Sequence, residues 1–134
     1  MFGQPRAKIL VVDDEPDIRQ VIKLRLELGK YEVLTAEDGR SALSLAEATH
    51  PDLILLDVIM PGQTGFEVCR ALKDNEATKR IPVVFLTAKG RQDDHMQGTF
   101  AGAAGYLTKP FEAQHLLKTV ETVLADSRMR RGLA

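Results

Sequence analysis

Asp52-Leu53-Ile54-Leu55-Leu56-Asp57 is an unbroken apolar run closed by an acid. Four consecutive Leu and Ile residues leave no polar face for water, so they suit a strand covered on both sides, as in a parallel sheet flanked by helices. A second run, Ile9-Leu10-Val11-Val12, ends the same way, on Asp13 and Asp14. Acids at strand ends are not packing groups. If the two strands are neighbours in a parallel sheet, the three carboxylates emerge at one rim, where open α/β sheets place their ligands. Like charges that close repel by roughly 4 kcal/mol per pair at an effective dielectric of about 20, so the cluster calls for a cation, magnesium first.

Working outward, three more short runs alternate with amphipathic stretches: Tyr31 to Thr35, Val83 to Leu86, and Gly105 to Leu107. Ile18, Val21, Ile22 and Leu26 recur at helical spacing, as do Leu116, Leu117, Val120, Val123 and Leu124. Five strand-helix units predict an α/β fold with a mostly parallel, five-stranded sheet. The second and fifth runs are more mixed, as edge strands often are. Asp14-Glu15-Pro16 offers a cap, an acid and a proline at one helix entry, Asp38-Gly39 opens the next helix, and Gly29 follows the first helix's last apolar residue. The segment from Arg91 to about Ala101 predicts the loosest helix, because Gly98, Thr99 and Gly102 lower its propensity.

The 134 residues suffice for one domain with one core. Lys and Arg number 18 against 19 acids, and a net charge of −1 gives no electrostatic reason for nucleic-acid binding. The single Cys69 excludes an internal disulfide and falls with Phe66 and Leu72 on one helical stripe, which reads as a small buried hydrophobe. No apolar run approaches the roughly 18 residues of a membrane span, and no leader pattern opens the chain. The expectation is a cytoplasmic protein with no direct membrane contact. Residues 1–7 read as a lead-in, 8–126 as the domain, and 127–134, with Arg128, Arg130 and Arg131, as a basic tail or linker start. His50, His95 and His115 lie on separate elements without ligand spacing.

Two further polar residues stand at strand ends: Thr87 after Val83-Val84-Phe85-Leu86, and Lys109 after Gly105-Tyr106-Leu107-Thr108. Singly, each has an ordinary explanation. Asp14 or Thr87 could cap a helix, Asp57 could form an Asx-turn before Pro61-Gly62, and Lys109 could be a solvated charge before Pro110. Together they compose a phosphoryl-transfer site. Asp57 would be the carboxylate nucleophile, Asp14 and Asp57 would hold magnesium, Thr87 would donate a hydroxyl hydrogen bond, and Lys109 would supply a point charge.

Asp13-Asp14-Glu15, Asp57 with Met60-Pro61 and Gly65, Leu86-Thr87-Ala88, and Tyr106-Leu107-Thr108-Lys109-Pro110-Phe111 resemble the receiver domains of bacterial two-component response regulators. The likeness runs from about Lys8 to Asp126. It implies a flavodoxin-like, doubly wound sheet in the order 2-1-3-4-5, with helices on both faces. It also implies a phosphorylation switch, not a turnover enzyme, in which Asp57 accepts phosphate from the phosphohistidine of a sensor histidine kinase or phosphotransfer protein. Asp14 would ligate magnesium directly, Asp13 mainly through water, and the Ile59 backbone carbonyl would complete the set. Thr87 and Lys109 would grip the phosphoryl oxygens, the Lys109-Pro110 peptide would be cis, and Gly65 would begin the third helix. Tyr106 would rotate from an exposed to a buried rotamer as Thr87 moves inward, passing the signal to an output protein or a linked effector domain.

The departures are specific. Ala104-Gly105 stands where many DNA-binding members carry an acidic pair before the switch aromatic, and the last helix opens Glu112-Ala113-Gln114-His115-Leu116-Leu117-Lys118, without the arginines of their salt-bridged dimer. Ile59 and Lys89 occupy positions that govern water access in the family, so both should modulate aspartyl-phosphate lifetime. Three alternatives compete. A haloacid-dehalogenase-type hydrolase needs a second acid two residues beyond the nucleophile, where Ile59 stands. A flavodoxin-like carrier holds phosphate on a Ser, Thr and Gly-rich loop, which Asp13-Asp14-Glu15 would repel. A pseudo-receiver that binds partners without phosphorylation would not require the full set of acids, hydroxyl and lysine.

Overall fold

The computed structural model describes residues 6–88, 102–130 and 132. The expected helix from Arg91 to Ala101, together with Lys89 and His95, lies outside them. The elements are β1 (Lys8–Val12), α1 (Pro16–Leu28), β2 (Glu32–Ala36), α2 (Gly39–Thr49), β3 (Leu53–Asp57), α3 (Gly65–Lys73), β4 (Val83–Ala88), β5 (Gly105–Lys109) and α4 (Ala113–Arg130). All strand pairs are parallel, in the order β2-β1-β3-β4-β5. The mixed runs are the two edges, as their composition predicts, and the continuous ones are central and fully buried along β3. Helix α4 runs on to Arg130, beyond Asp126.

Strand alternation sorts the interior into two layers. Ile9, Val11, Leu53, Leu55, Val84, Leu86 and Leu107 pack with Ile22 and Leu26 of α1 and Leu116, Val120 and Val123 of α4. On the opposite face, Leu10, Val12, Ile54, Leu56, Val83 and Phe85 pack with Ala42 and Ala46 of α2 and Val68, Cys69 and Leu72 of α3. Cys69 is fully buried, and burial pushes its thiol up to about 11, the environment of a structural residue.

Helix entries follow local chemistry, with one difference from expectation. The N-cap of α1 is Glu15, which makes no side-chain cap, and Pro16 supplies the preset φ at the first turn. Asp14 is therefore not consumed as a cap. Asp38 caps α2 by accepting from the Ser41 N–H at 2.8 Å, and α3 opens with a capping box. Thr64 Oγ1 accepts from the Glu67 N–H at 3.2 Å, while Glu67 Oε1 accepts from the Thr64 N–H at 3.0 Å. Thr64→Ala should cost about 1 kcal/mol, read as a lower midpoint in urea with an unchanged slope.

Candidate functional site

Register brings the acids together before any side chain is considered. Val12 stands opposite Leu56, so Asp13 comes level with Asp57 at the carboxyl ends of adjacent strands. Asp14 follows directly, and one carboxylate oxygen from each of Asp13, Asp14 and Asp57 lies within 4.8 Å of the other two. Asp13 and Asp57 are buried, and Asp14 is partly exposed. Two ionised, buried acids at this range are tolerable only with a counter-charge.

Lys109 supplies it. At the end of β5, its Nζ lies 2.9 Å from Asp13 Oδ2 and 3.5 Å from Asp57 Oδ2. Burial alone would lower the lysine pKa, but the hydrogen bond that the ammonium donates to Asp13 and the charges of Asp57, Asp13 and Glu15 outweigh it and raise the pKa. Backbone donors hold the other oxygens: the Glu15 N–H reaches Asp13 Oδ1 at 3.0 Å, and the Ile59 N–H reaches Asp57 Oδ1 at 3.3 Å. The second contact is the Asx-turn geometry expected before Pro61-Gly62. It coexists with the acid cluster and does not replace it.

Asp57 is strongly perturbed. Burial first, then the Asp13 charge, pushes its carboxyl up to about 7, with Lys109 and the Ile59 N–H opposing and Asp14 adding to the rise. Its ionised form is thus stabilised by whatever further positive charge enters the rim. A hard dication with oxygen ligands fits the donor set, which among the described residues consists of three carboxylates.

Thr87 is buried near the end of β4 and pairs with Thr108, one step beyond the level at which Asp57 faces Leu86. By alternation, Asp13, Asp57 and Lys109 continue the layer of α1 and α4, whereas Thr87 continues the layer of Phe85. Tyr106 belongs to that second layer: it pairs with Phe85 in register and is half-buried. Its ring stacks on Phe85 with centroids 6.2 Å apart, and Phe85 meets Phe66 edge-on at 5.0 Å. The Lys109-Pro110 peptide is cis. Ile59 exposes about half its side chain (52%) beside the cluster.

Two supporting residues were not legible as such. Arg19 of α1 donates from Nη1 to the Asp13 backbone carbonyl at 2.7 Å, fixing the loop that carries both aspartates. Its target is main chain, so no side-chain pattern announces it. Gly65 begins α3, as the resemblance implies, and a Cβ there would collide with the Asp57 carbonyl oxygen and lie 3.0 Å from Val58 Cα. The Gly65 N–H donates to the Val58 carbonyl at 2.8 Å, so the helix start is seated directly on the backbone that carries Asp57.

Comparison with known proteins agrees with this geometry. Residues 9–121 match the response regulator receiver domain model. Over 116 residues the chain is 46% identical to the phosphate regulon transcriptional regulatory protein PhoB of Pseudomonas aeruginosa, covering 87% of this chain and 51% of that protein. It thus spans about half that relative's length. Protein PilH of the same organism is 41% identical, and the match covers 89% of this chain and 98% of PilH. Among solved structures, the receiver domain of the sensor histidine kinase PA1611 from P. aeruginosa, with a magnesium ion coordinated in its active site cleft, superposes with a TM-score of 0.83. It is 31% identical, and the match covers 90% of this chain and 99% of that one. With a parallel sheet of the required order, an acid cluster at its carboxyl rim and a family match over most of its length, the chain belongs to the response regulator receiver domains of two-component signalling.

Proposed function

We propose that Asp57 is the phosphoacceptor of a magnesium-dependent switch fed by a histidine kinase or phosphotransfer protein in the cytoplasm. The observation that carries this reading is the convergence of three carboxylates within 4.8 Å, with the Lys109 ammonium between two of them. A carboxylate oxygen of Asp57 attacks the donor phosphorus, a P–O bond forms as the P–N bond of phosphohistidine breaks, and the departing imidazole keeps the electron pair and takes a proton. Magnesium, held by Asp13, Asp14, Asp57 and the Ile59 carbonyl, would neutralise charge on the transferring oxygens. Lys109 exchanges its contact with Asp57 for a phosphoryl oxygen. Thr87 donates its hydroxyl to another.

The readout follows from sheet parity. A phosphoryl group adds about 1.5 to 2 negative charges and three acceptors, which draws Thr87 toward the rim. Thr87 and Tyr106 share a layer, so this movement alters the space into which the Tyr106 ring turns. The donor has a seat beside the site: Ile18, Val21 and Ile22 of α1, with Pro110 and Phe111, line a largely apolar groove of about 480 Å³ that reaches Lys109. An amphipathic helix of the donor would fill it. The output lies in a partner protein or a linked effector domain. The pseudo-receiver alternative is less well supported, because every acid, hydroxyl and lysine the chemistry requires is in place.

Incubation with acetyl phosphate and magnesium should add one phosphoryl group, localised by peptide mass spectrometry to Asp57 and absent in chelator. No gain, or a label elsewhere, rejects the assignment. Lys109→Ala, in the presence of magnesium, should still accept the label while the Tyr106 ring resonances stay where they are in the unlabelled protein. A Tyr106 shift equal to that of the parent would remove Lys109 from the coupling.

A further inference from the structure

The end of the sheet opposite Asp57 carries a second feature that phosphotransfer does not use. Where β4 and β5 begin, a cavity of about 770 Å³ opens between the end of α3, the turn that follows it and the end of α4. Lys73, Lys79, Arg80 and Arg130 line it against one carboxylate, Asp126. The chain as a whole has a net charge of −1, so this excess of cations is local. Pro82, Ala103, Ala104 and Val123 supply apolar lining, and Gly102 presents no side chain at all.

The cations are held from several sides. Lys73 is partly buried, and its Nζ donates to the carbonyls of Ile81 at 2.8 Å and Lys79 at 3.2 Å, which leaves the ammonium a third donor. Its aliphatic stem lies over Gly102, where an added Cβ would meet it at 3.4 Å. Lys79 pairs with Glu76 at 2.8 Å, and Arg130 with Asp126 at 3.2 Å. Both are exposed pairs within one local segment, of the kind worth little and readily exchanged for a better anion. Arg80 is exposed beside them.

We propose that this cavity binds a nucleotide, with the base against Pro82, Ala104 and Val123 and the phosphates between Arg80, Arg130 and Lys73. Its volume falls in the range of small-molecule sites, roughly 300 to 1,000 Å³. An acidic peptide would suit an open basic surface better than a recess walled by three elements. A bare phosphate would leave the apolar lining uncovered. Arginine forks match phosphate oxygens in pairs, and the lysine adds a point charge from below. The reading is independent of the Asp57 chemistry, since the two regions lie at opposite ends of the strands.

The full chain, labelled with ¹⁵N and kept in chelator so that the acid cluster offers no metal-bridged site, should be titrated with ADP, adenosine and inorganic phosphate. ADP should move the amides of Gly102, Ala103, Ala104 and Val123 and saturate below millimolar concentration, with adenosine and phosphate each far weaker. Arg80→Glu with Arg130→Glu should weaken ADP by at least about tenfold, or 1.4 kcal/mol. The same variant should accept phosphate on Asp57 at the parental rate, which certifies its fold. Absence of shifts, shifts confined to the Asp13 and Asp57 rim, an unweakened double variant, or phosphate binding as tightly as ADP would each overturn the proposal.

Discussion

Asp57→Asn is expected to accept no phosphoryl group from acetyl phosphate and, in chelator at pH 7, to be more stable than the parent by about 2 kcal/mol, near 6 °C in melting temperature. The first effect is chemical, because a neutral amide has no nucleophilic carboxylate oxygen. The second follows from linkage. In the parent, burial and the Asp13 charge hold the folded Asp57 carboxyl near 7, above its ordinary value of 3.8. Below about pH 4 the group is protonated in both states and contributes no pH dependence. Between about pH 4 and 7 the unfolded chain ionises while the folded chain keeps its proton, so stability falls as pH rises, and the loss is complete above 7. Solvent at the rim screens part of the full shift, which reduces the expected magnitude. The asparagine variant should lack this downward slope. Asp38 and Glu76, whose pKa values are lowered from 3.8 and 4.5 by the Ser41 N–H and by Lys79 respectively, act in the opposite sense up to those values and leave the span from pH 5 to pH 7 to Asp57. Magnesium should stabilise the parent more than the variant at pH 7. Melting curves at pH 5 and pH 7, with and without the ion, test both parts, and a parental slope that persists in Asp57→Asn would refute the electrostatic account.

Gly65→Ala should be strongly destabilising, at about 3 kcal/mol, the upper end of overpacking costs. The new Cβ meets the Asp57 carbonyl oxygen and Val58 Cα, which are backbone atoms of a central, fully buried strand and its first loop residue. No rotamer relieves that collision. Either α3 is lifted from its seat, loosening Val68, Cys69 and Leu72 in the core, or the end of β3 is displaced and Asp57 with it. The variant should therefore lose phosphoryl uptake as well as stability. Gly62→Ala is the control. Gly62 has φ +81 and no atom within 4 Å of an added Cβ, so its substitution should cost about 1 kcal/mol of backbone strain and leave uptake intact. Urea denaturation and acetyl phosphate labelling of the pair separate the two mechanisms. Equal losses in both would show that the close approach at Gly65 is not the constraint.

The architecture was legible because the central strands are so plainly apolar: Ile9 to Val12, Leu53 to Leu56 and Val83 to Leu86 allow no other packing than burial on both faces. Their terminal acids and hydroxyl then had to meet at one rim once the strands were parallel. The strand order itself came from the likeness in motifs, since nothing in Tyr31 to Thr35 or Gly105 to Leu107 says which edge each occupies. What stayed hidden depends on main-chain geometry. The Arg19 contact with the Asp13 carbonyl and the seat of Gly65 on Asp57 involve backbone atoms that leave no mark in residue type. The Thr64-x-x-Glu67 box, in contrast, has a spacing that marks a helix start in the sequence itself. The basic recess under β4 and β5 draws on residues from 73 to 130, too dispersed to stand out as a charge run.

Asp57 and Lys109 continue one side of the sheet and Thr87 and Tyr106 the other, so the proposed switch would use a single β-layer as a partition between reception and reply. On that reading, substitutions beneath the reply side, such as at Phe66 packed on Phe85, would alter which listener is addressed and leave the arrival of the message unchanged.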